Sequence, residues 1–255
     1  MILSVFIFIF GAMIGSFLNV LIYRLPKEMN WVSKRSHCPN CNIQIPFYRN
    51  IPIITFILQL GKCHHCKSKI GFTYPFVELL TAIVGLLLFP KHINLDNLLF
   101  YSFYFSIFCV FLVHFIIDVR HQILPDELNL YLFCIFAFYG FFKLNIFEVI
   151  IGGIIGFGFP YLVAYLFYKF KGIEGLGGGD IKLYGALGLF LGPQGIMQNI
   201  FMSCLFGSVI GIILILAKII KKNKPIPFGP FIILSATIQI FFPLYNKAIT
   251  DLIGF

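Results

Sequence analysis

From Met1 to Tyr23 the sequence reads MILSVFIFIFGAMIGSFLNVLIY, without a single Asp, Glu, Lys or Arg. Similar uncharged blocks recur along the chain, and they constrain the fold more than any other feature. Hydrocarbon about 30 Å thick offers no partner to a backbone N–H or C=O, so about 20 consecutive apolar residues cross it as a helix. Only 11% of the 255 residues are charged, 59% are apolar and 33 are Phe, whereas about a quarter of a soluble domain is charged. The fold class expected is an all-α polytopic membrane protein with about eight transmembrane helices. They fall near 2–23, 75–90, 98–117, 128–142, 147–168, 183–193, 196–217 and 228–246, the second, fourth and sixth being short.

Charge placement orients these spans. Lys and Arg total 19 against 10 Asp and Glu. An excess of that sign would suit nucleic acid, but the basic residues cluster between apolar blocks, as topology signals do, so no nucleic-acid partner is expected. With eight spans, one set of loops (24–74, 118–127, 169–182 and 218–227) holds sixteen Lys and Arg, and the other set keeps Lys91, Lys143 and Lys247. Lys and Arg accumulate on the cytoplasmic side, so the first set is read as cytoplasmic and both termini as outside. No basic residue precedes the first span, unlike a cleaved signal peptide, so 1–23 is read as a retained helix. The division expected is 1–23 as first transmembrane helix, 24–74 as a cytoplasmic four-cysteine loop and 75–255 as a multi-helix membrane domain.

The 24–74 loop contains Cys38-x-x-Cys41 and Cys63-x-x-Cys66, separated by 21 residues. Two such knuckles each place two sulfurs at one corner of the chain, which suits a structural zinc ion and a zinc-ribbon-like module. Redox-active or metal-free thiols are the competing reading; a cytoplasmic placement disfavours structural disulfides. Lys62, Lys67 and Lys69 favour thiolates at the second knuckle. His37, His64 and His65 could substitute as ligands, but with four cysteines present they are expected to face solvent. Cys109, Cys134 and Cys204 lie in spans and read as small buried apolar residues.

Among the ten acids, Asp118 closes the third span and Asp180 opens the sixth. Two carboxylates held together cannot both ionise easily; such a pair can share a proton and activate a water between them. The ionised member takes the water's proton while the protonated member hydrogen-bonds a scissile carbonyl, which is peptide hydrolysis without a metal. Gly177, Gly178 and Gly179 precede Asp180; they permit close backbone approach and positive φ, so an extended substrate could lie against them. Asp180 could instead be an N-cap, and Asp126 after Pro125 has the same look. Glu78 could pair with Arg24 or Lys69, contact a substrate amine or snorkel to the interface. His114, one turn before Asp118 on the same helical face, could tune that acid or hydrogen-bond a neighbouring helix. Asn19 is expected to bond across helices.

Five stretches together resemble one family. They are GSFLNVLIYRLP (15–26), the paired-cysteine loop running into GKCHHCKSKIGFTYPFVELLTA, IIDVRHQILPDEL (116–128), GLGGGDIKLYGALGLFLG (175–192) and IPFGPF (226–231). In that order they resemble the prepilin peptidases, or type IV leader peptidases, membrane aspartic proteases of the GxGD type. The resemblance implies Asp118 and Asp180 as catalytic pair, with Asp126, Gly177, Gly178, Gly179 and Lys182 in support and Cys38, Cys41, Cys63 and Cys66 on zinc. It implies an enzyme of a prokaryotic cytoplasmic (inner) membrane, active site facing the cytoplasm. Its substrates would be type IV prepilins or pseudopilins, cut after a Gly that ends a basic leader. Members with the four-cysteine loop also N-methylate the new terminus from S-adenosylmethionine, for which no binding motif is visible here. Basic loop residues would meet anionic lipid. Two rivals remain: a GxGD protease of another substrate class, which would carry Tyr where Ile117 stands and lack the cysteines, and a zinc transporter or sensor, which would need acids and histidines midway through its spans.

Overall fold

The computed structural model describes residues 2–32, 35–173, 175–218 and 226–242. Glu174, the basic stretch 219–225, and the end of the last expected span with Lys247 and Asp251 lie outside them. The described residues are helical without a β-strand, and two isolated bridges occur in the cysteine loop. The helices are α1 (Ile2–Arg24), α2 (Ile54–Leu58), α3 (Thr73–Leu88), α4 (Leu95–His121), α5 (Asp126–Lys143), α6 (Ile146–Lys171), α7 (Gly178–Leu216) and α8 (Gly229–Phe241). Four of them, α1, α4, α6 and α7, are long and apolar enough to cross a membrane, while α3 and α8 are shorter apolar helices. The expected sixth and seventh spans both fall in α7, which breaks at Gly192 (φ 69, ψ −178) ahead of Pro193. Only glycine adopts that backbone readily, and the following Pro removes a donor from the ladder.

The chain forms two compact units, Met1–Val113 and His114–Phe255, and the boundary falls inside α4. In the first unit α1 packs on α3. Gly11 and Gly15, four residues apart on one face, make that contact close. A β-carbon on Gly15 would lie 2.6 Å from Glu78 Cα, and one on Gly11 would lie 2.8 Å from Ala82 Cα. Such small-residue pairs let helix backbones touch in lipid, where no hydrophobic effect drives them together. Asn19 Nδ2 donates to the Tyr74 carbonyl at 3.0 Å, the interhelical bond expected of it.

In the second unit α7 packs against α5, α6 and α8. Its contact with α6 is again backbone to backbone: a β-carbon on Gly152 would run into the Gly188 carbonyl, and one on Gly188 into the Gly152 carbonyl. α6 starts at an Asn145 cap that accepts the Phe147 N–H at 3.1 Å and ends at Gly172 in the left-handed conformation (φ 70). Those are a side-chain N-cap and a glycine C-cap. The α7–α8 contact is polar. Asn199 Nδ2 donates to Gln239 Oε1 (2.9 Å), Gln239 Nε2 to the Gly195 carbonyl (3.0 Å) and Ser235 Oγ to the Asn199 carbonyl (3.4 Å). Tyr184, 1% exposed, shares a hydrogen bond with Ser203.

Two glycines on α6 should therefore respond oppositely to a methyl group. Gly152→Ala should lower the thermal midpoint in detergent, because overpacking costs about 1–3 kcal/mol. Gly158→Ala should hold or raise it, since its β-carbon meets nothing within 4 Å and Ala gains about 1 kcal/mol over Gly in a helix.

Candidate active site

Asp118 and Asp180 belong to the second unit, on separate helices. Asp118 lies in the last turn of α4, where its carbonyl accepts the Gln122 N–H at 2.9 Å. Gln122 then turns left-handed (φ 56), and the chain reaches Pro125 at the start of α5. Asp180 is the third residue of α7, after Gly178 and Gly179, with Gly177 as N-cap. It is therefore not the cap. It occupies the first-turn position from which a carboxylate reaches back to the cap residue's N–H, a site also favoured by the helix dipole. The Gly177 amide faces that carboxylate, and a β-carbon on Gly177 would lie 3.1 Å from Asp180 Oδ2.

The two acids are 5% and 9% exposed, and they lie close enough for the charge of one to act directly on the other. Each keeps one buried oxygen, Asp118 Oδ2 and Asp180 Oδ1, without a hydrogen-bond partner among the described residues. A third backbone closes the site. The Gly229 amide, at the start of α8, faces the Asp118 carboxylate, and a β-carbon on Gly229 would lie 2.7 Å from Asp118 Oδ2.

Leu124 holds these parts together. It is 7% exposed. A β-carbon on Gly179 would lie 2.9 Å from Leu124 Cβ, and one on Gly229 would lie 3.2 Å from Leu124 Cδ2. The loop after α4 is thus wedged between the start of α7 and the start of α8. Asn129, 4% exposed, adds a bond from its Nδ2 to the Gly179 carbonyl at 3.4 Å.

Several expectations change. Gly177 is extended (φ −67, ψ 143), Gly178 and Gly179 are helical, and none has positive φ. Lack of a side chain serves approach at two of them, Gly179 admitting Leu124 and Gly177 the Asp180 carboxylate, whereas a β-carbon on Gly178 would meet nothing within 4 Å. Pro125 is the N-cap of α5, and Asp126 is its first residue. Its two oxygens accept from Lys182 Nζ at 2.7 and 2.8 Å, an ion pair open to solvent. Glu78, in the first unit, is 8% exposed and accepts the Ile53 N–H at 2.7 Å, so it tethers a loop rather than reaching for the surface. His114 is fully buried, yet neither ring nitrogen has a hydrogen-bond partner among the described residues, so the expected bond to a neighbouring helix is not made. Sequence reasoning passed over Leu124, Asn129 and the role of Gly229. Only Asn129, a lone amide one turn into an apolar helix, carried a visible signal.

The cysteine loop folds as two matching knuckles. In each, a left-handed residue follows the second cysteine, Asn42 (φ 53) or Lys67 (φ 58), and its N–H bonds to the carbonyl of the first, Cys38 or Cys63. The bridges His37–Gln44 and Lys62–Lys69 close the two turns. All four sulfurs lie within 4.8 Å of one another, and Cys38 Sγ to Cys66 Sγ is 3.9 Å. Zinc–sulfur bonds of about 2.3 Å put tetrahedral sulfurs about 3.8 Å apart, so the cluster can hold that ion. The Ser68 hydroxyl, then its amide, brings the Cys66 thiol down to about 6. The Ile43 amide favours the Cys41 thiolate, but burial and the sulfurs of Cys38 and Cys66 outweigh it and push that thiol up to about 11. Outside the cluster Cys109 is buried as expected, whereas Cys134 and Cys204 are exposed on helix surfaces, where an apolar thiol suits lipid.

Membrane-length helices, a four-cysteine cluster in one unit and two buried aspartates in the other describe a multi-pass membrane protein. The Bacterial Peptidase A24 N-terminal domain matches residues 9–92, and the Type IV leader peptidase family matches residues 103–212. Three relatives are each named "Prepilin leader peptidase/N-methyltransferase". The Aeromonas hydrophila protein is 34% identical over 96% of this chain and 91% of its own length. For the Pseudomonas aeruginosa protein the figures are 32%, 90% and 87%. For the Burkholderia pseudomallei (strain 1026b) protein they are 30%, 94% and 86%. No solved structure matches. The chain belongs to the type IV leader peptidase family and is a membrane-bound peptidase.

The ion pair beside the site is open to water, its side chains 51% and 69% exposed, and exposed pairs contribute about 0–1 kcal/mol. Lys182→Met should shift the unfolding free energy by no more than about 1 kcal/mol, as read by denaturant titration in detergent.

Proposed function

We propose that the protein removes the basic leader of a type IV prepilin or pseudopilin by aspartic proteolysis and then N-methylates the exposed terminus. The observation that carries the first half is the acid pair: two buried carboxylates from different helices, each with an unpartnered oxygen, within electrostatic reach. Two buried carboxylates brought together can share a proton. The ionised carboxylate takes a proton from a water, whose oxygen attacks the scissile carbonyl, while the protonated carboxyl hydrogen-bonds the carbonyl oxygen. The tetrahedral intermediate collapses as the C–N bond breaks and the leaving amine takes up a proton. The open space beside Gly178 receives the substrate backbone, Gly177 and Gly179 keep the loop close to Asp180, and the Asp126–Lys182 pair steadies the starts of α5 and α7. The bond is cut after a Gly.

The fold supports a cytoplasmic active site. Asp118, Asp126 and Asp180 stand at helix ends beside Arg120, Lys169, Lys171 and Lys182, while Lys143 ends α5 at the other end. Lys and Arg mark the cytoplasmic side. On this reading the shorter helices also span, giving eight crossings with both termini outside, since Gly192 divides α7 into two. The first helix (1–23) and the loop (24–74) then precede a peptidase domain at 75–255, in a prokaryotic inner membrane whose anionic lipids meet the basic loops.

Methylation rests on the relatives' names. The terminal amine, after losing a proton, attacks the methyl carbon of S-adenosylmethionine; the C–S bond breaks and its electrons stay on sulfur as S-adenosylhomocysteine. Cys38, Cys41, Cys63 and Cys66 would hold zinc, which folds the loop and takes no part in either reaction.

Asp118→Asn and Asp180→Asn should each lower cleavage of a model prepilin at least about 1,000-fold while the protein stays membrane-inserted. Cleavage at the wild-type rate in either variant removes the assignment. Elemental analysis should find about one zinc per chain, retained in both Asp variants and lost in Cys38→Ser with Cys66→Ser; metal-free wild-type protein refutes the zinc site.

A further inference from the structure

If the chain methylates the terminus it exposes, it must hold the donor. We propose that S-adenosylmethionine binds in a cavity of the first unit, between the cysteine knuckles and the facing ends of α1 and α3; this rests on the N-methyltransferase reading above. The cavity measures about 290 Å³, near the lower bound of about 300 Å³ for small-molecule sites. Its wall joins Asn19 and Tyr23 of α1, Arg49 and Lys69 of the loop, and Tyr74 and Glu78 of α3.

The donor's chemistry selects this wall. S-adenosylmethionine carries an ammonium, a sulfonium, a carboxylate, a ribose diol and an aromatic base, so its site needs both signs of charge and flat surfaces. Glu78 is the only acid lining the cavity among the described residues. One of its oxygens accepts the Ile53 N–H and its carboxylate also meets Ser16, but a carboxylate has about four acceptor positions. The remaining positions face the donor's ammonium or diol. Arg49 and Lys69 offer cations for the donor carboxylate. Arg24 is excluded from that role, because its guanidinium is taken up by the Asn30 and Arg35 carbonyls at 3.2 and 3.0 Å. Tyr23 and Tyr74 supply aromatic surface.

The loop is also held in an unusual shape at this wall. Ile53 has φ 61 and ψ −52, and the Ile54 N–H bonds back to the Pro52 carbonyl. That is a γ-turn with positive φ, a strained conformation for a β-branched residue that persists where surrounding structure enforces it. The Glu78 carboxylate accepts the Ile53 N–H, and Arg49, Asn50, Thr55 and Phe56 on either side of that turn line the cavity with the acid. The larger groove of the second unit, about 940 Å³ between α5, α6 and α7, does not suit the donor. Its walls are mostly aliphatic and aromatic; Lys182, its one lining cation among the described residues, is paired with Asp126, so Glu127 and Asn129 offer acceptors there but no unpaired cation meets the donor carboxylate.

Purified full-length protein in detergent, irradiated with methyl-labelled S-adenosylmethionine, should carry the label on a peptide within residues 16–78. By equilibrium binding, Glu78→Gln should raise Kd at least tenfold. So should Arg49→Ala combined with Lys69→Ala, a variant that leaves the Ile53 tether intact; thermal midpoints report that each is folded. A label confined to residues 114–242, or wild-type Kd in the folded double variant, overturns the site while the methyltransferase reading stands. Wild-type protein that cleaves a prepilin but neither binds nor consumes the donor overturns that reading, and the site with it.

Discussion

The acid pair depends on three backbones coming closer than side chains would allow. The loop after α4 is wedged by Leu124 between Gly179 and Gly229, and at both positions a β-carbon would fall within 3.2 Å of that leucine. Ordinary residues there would push apart the starts of α7 and α8, and the carboxylates with them. Burying two carboxylates is costly, because an ion removed from water must be neutralised or hydrogen-bonded. The Gly177 and Gly229 amides facing them supply part of the compensation. Each unpartnered oxygen is what a water or a substrate carbonyl would meet.

That wedge would be loose if α7 could slide. Two different seams stop it. Against α6 the helix rests on Gly152 and Gly188, where the backbones meet directly. Against α8 it is held by the Asn199–Gln239–Gly195 bonds. Interhelical hydrogen bonds in membranes average only about 0.6 kcal/mol, so they are the minor energetic term. Their value is directional, since an amide pair bonds in one register whereas apolar contacts tolerate many. Close packing therefore supplies most of the cohesion and the polar seam fixes the register, with Gly192 allowing α7 to change direction between them.

Much of this was legible in the sequence. Apolar blocks marked the helices because lipid leaves no alternative for a backbone, and the knuckle spacing marked the sulfur cluster because four thiolates need two corners of chain. Asp118 and Asp180 stood out as acids at the edges of apolar runs. What remained hidden depends on partners distant in the chain. Nothing in QILP distinguishes Leu124 as a wedge, and IPFGPF does not reveal that its glycine faces an aspartate 111 positions earlier. The Asp126–Lys182 pair was invisible for the same reason. The glycines before Asp180 invited an argument from positive φ, but a helix beginning at Gly178 needs no such conformation; Gly177 and Gly179 are small because the Asp180 carboxylate and Leu124 lie against them. Glu78 looked like an interfacial acid because the sequence could not show that a strained turn at Ile53 lies over it.

The two proposed reactions have an order that needs no signal between their sites. Before cleavage the nitrogen to be methylated is an amide, whose lone pair is delocalised into a carbonyl and does not attack a sulfonium methyl carbon. Hydrolysis at Asp118 and Asp180 turns it into an amine, and only then is it a nucleophile. The acid pair and the proposed donor cavity lie in separate compact units, and each unit contains its own cavity and its own close helix contact. Such a design lets one site be altered without changing the chemistry of the other, provided the cut terminus can reach both. The sequential requirement is then built into the substrate, and the protein need only retain the product long enough for the second step.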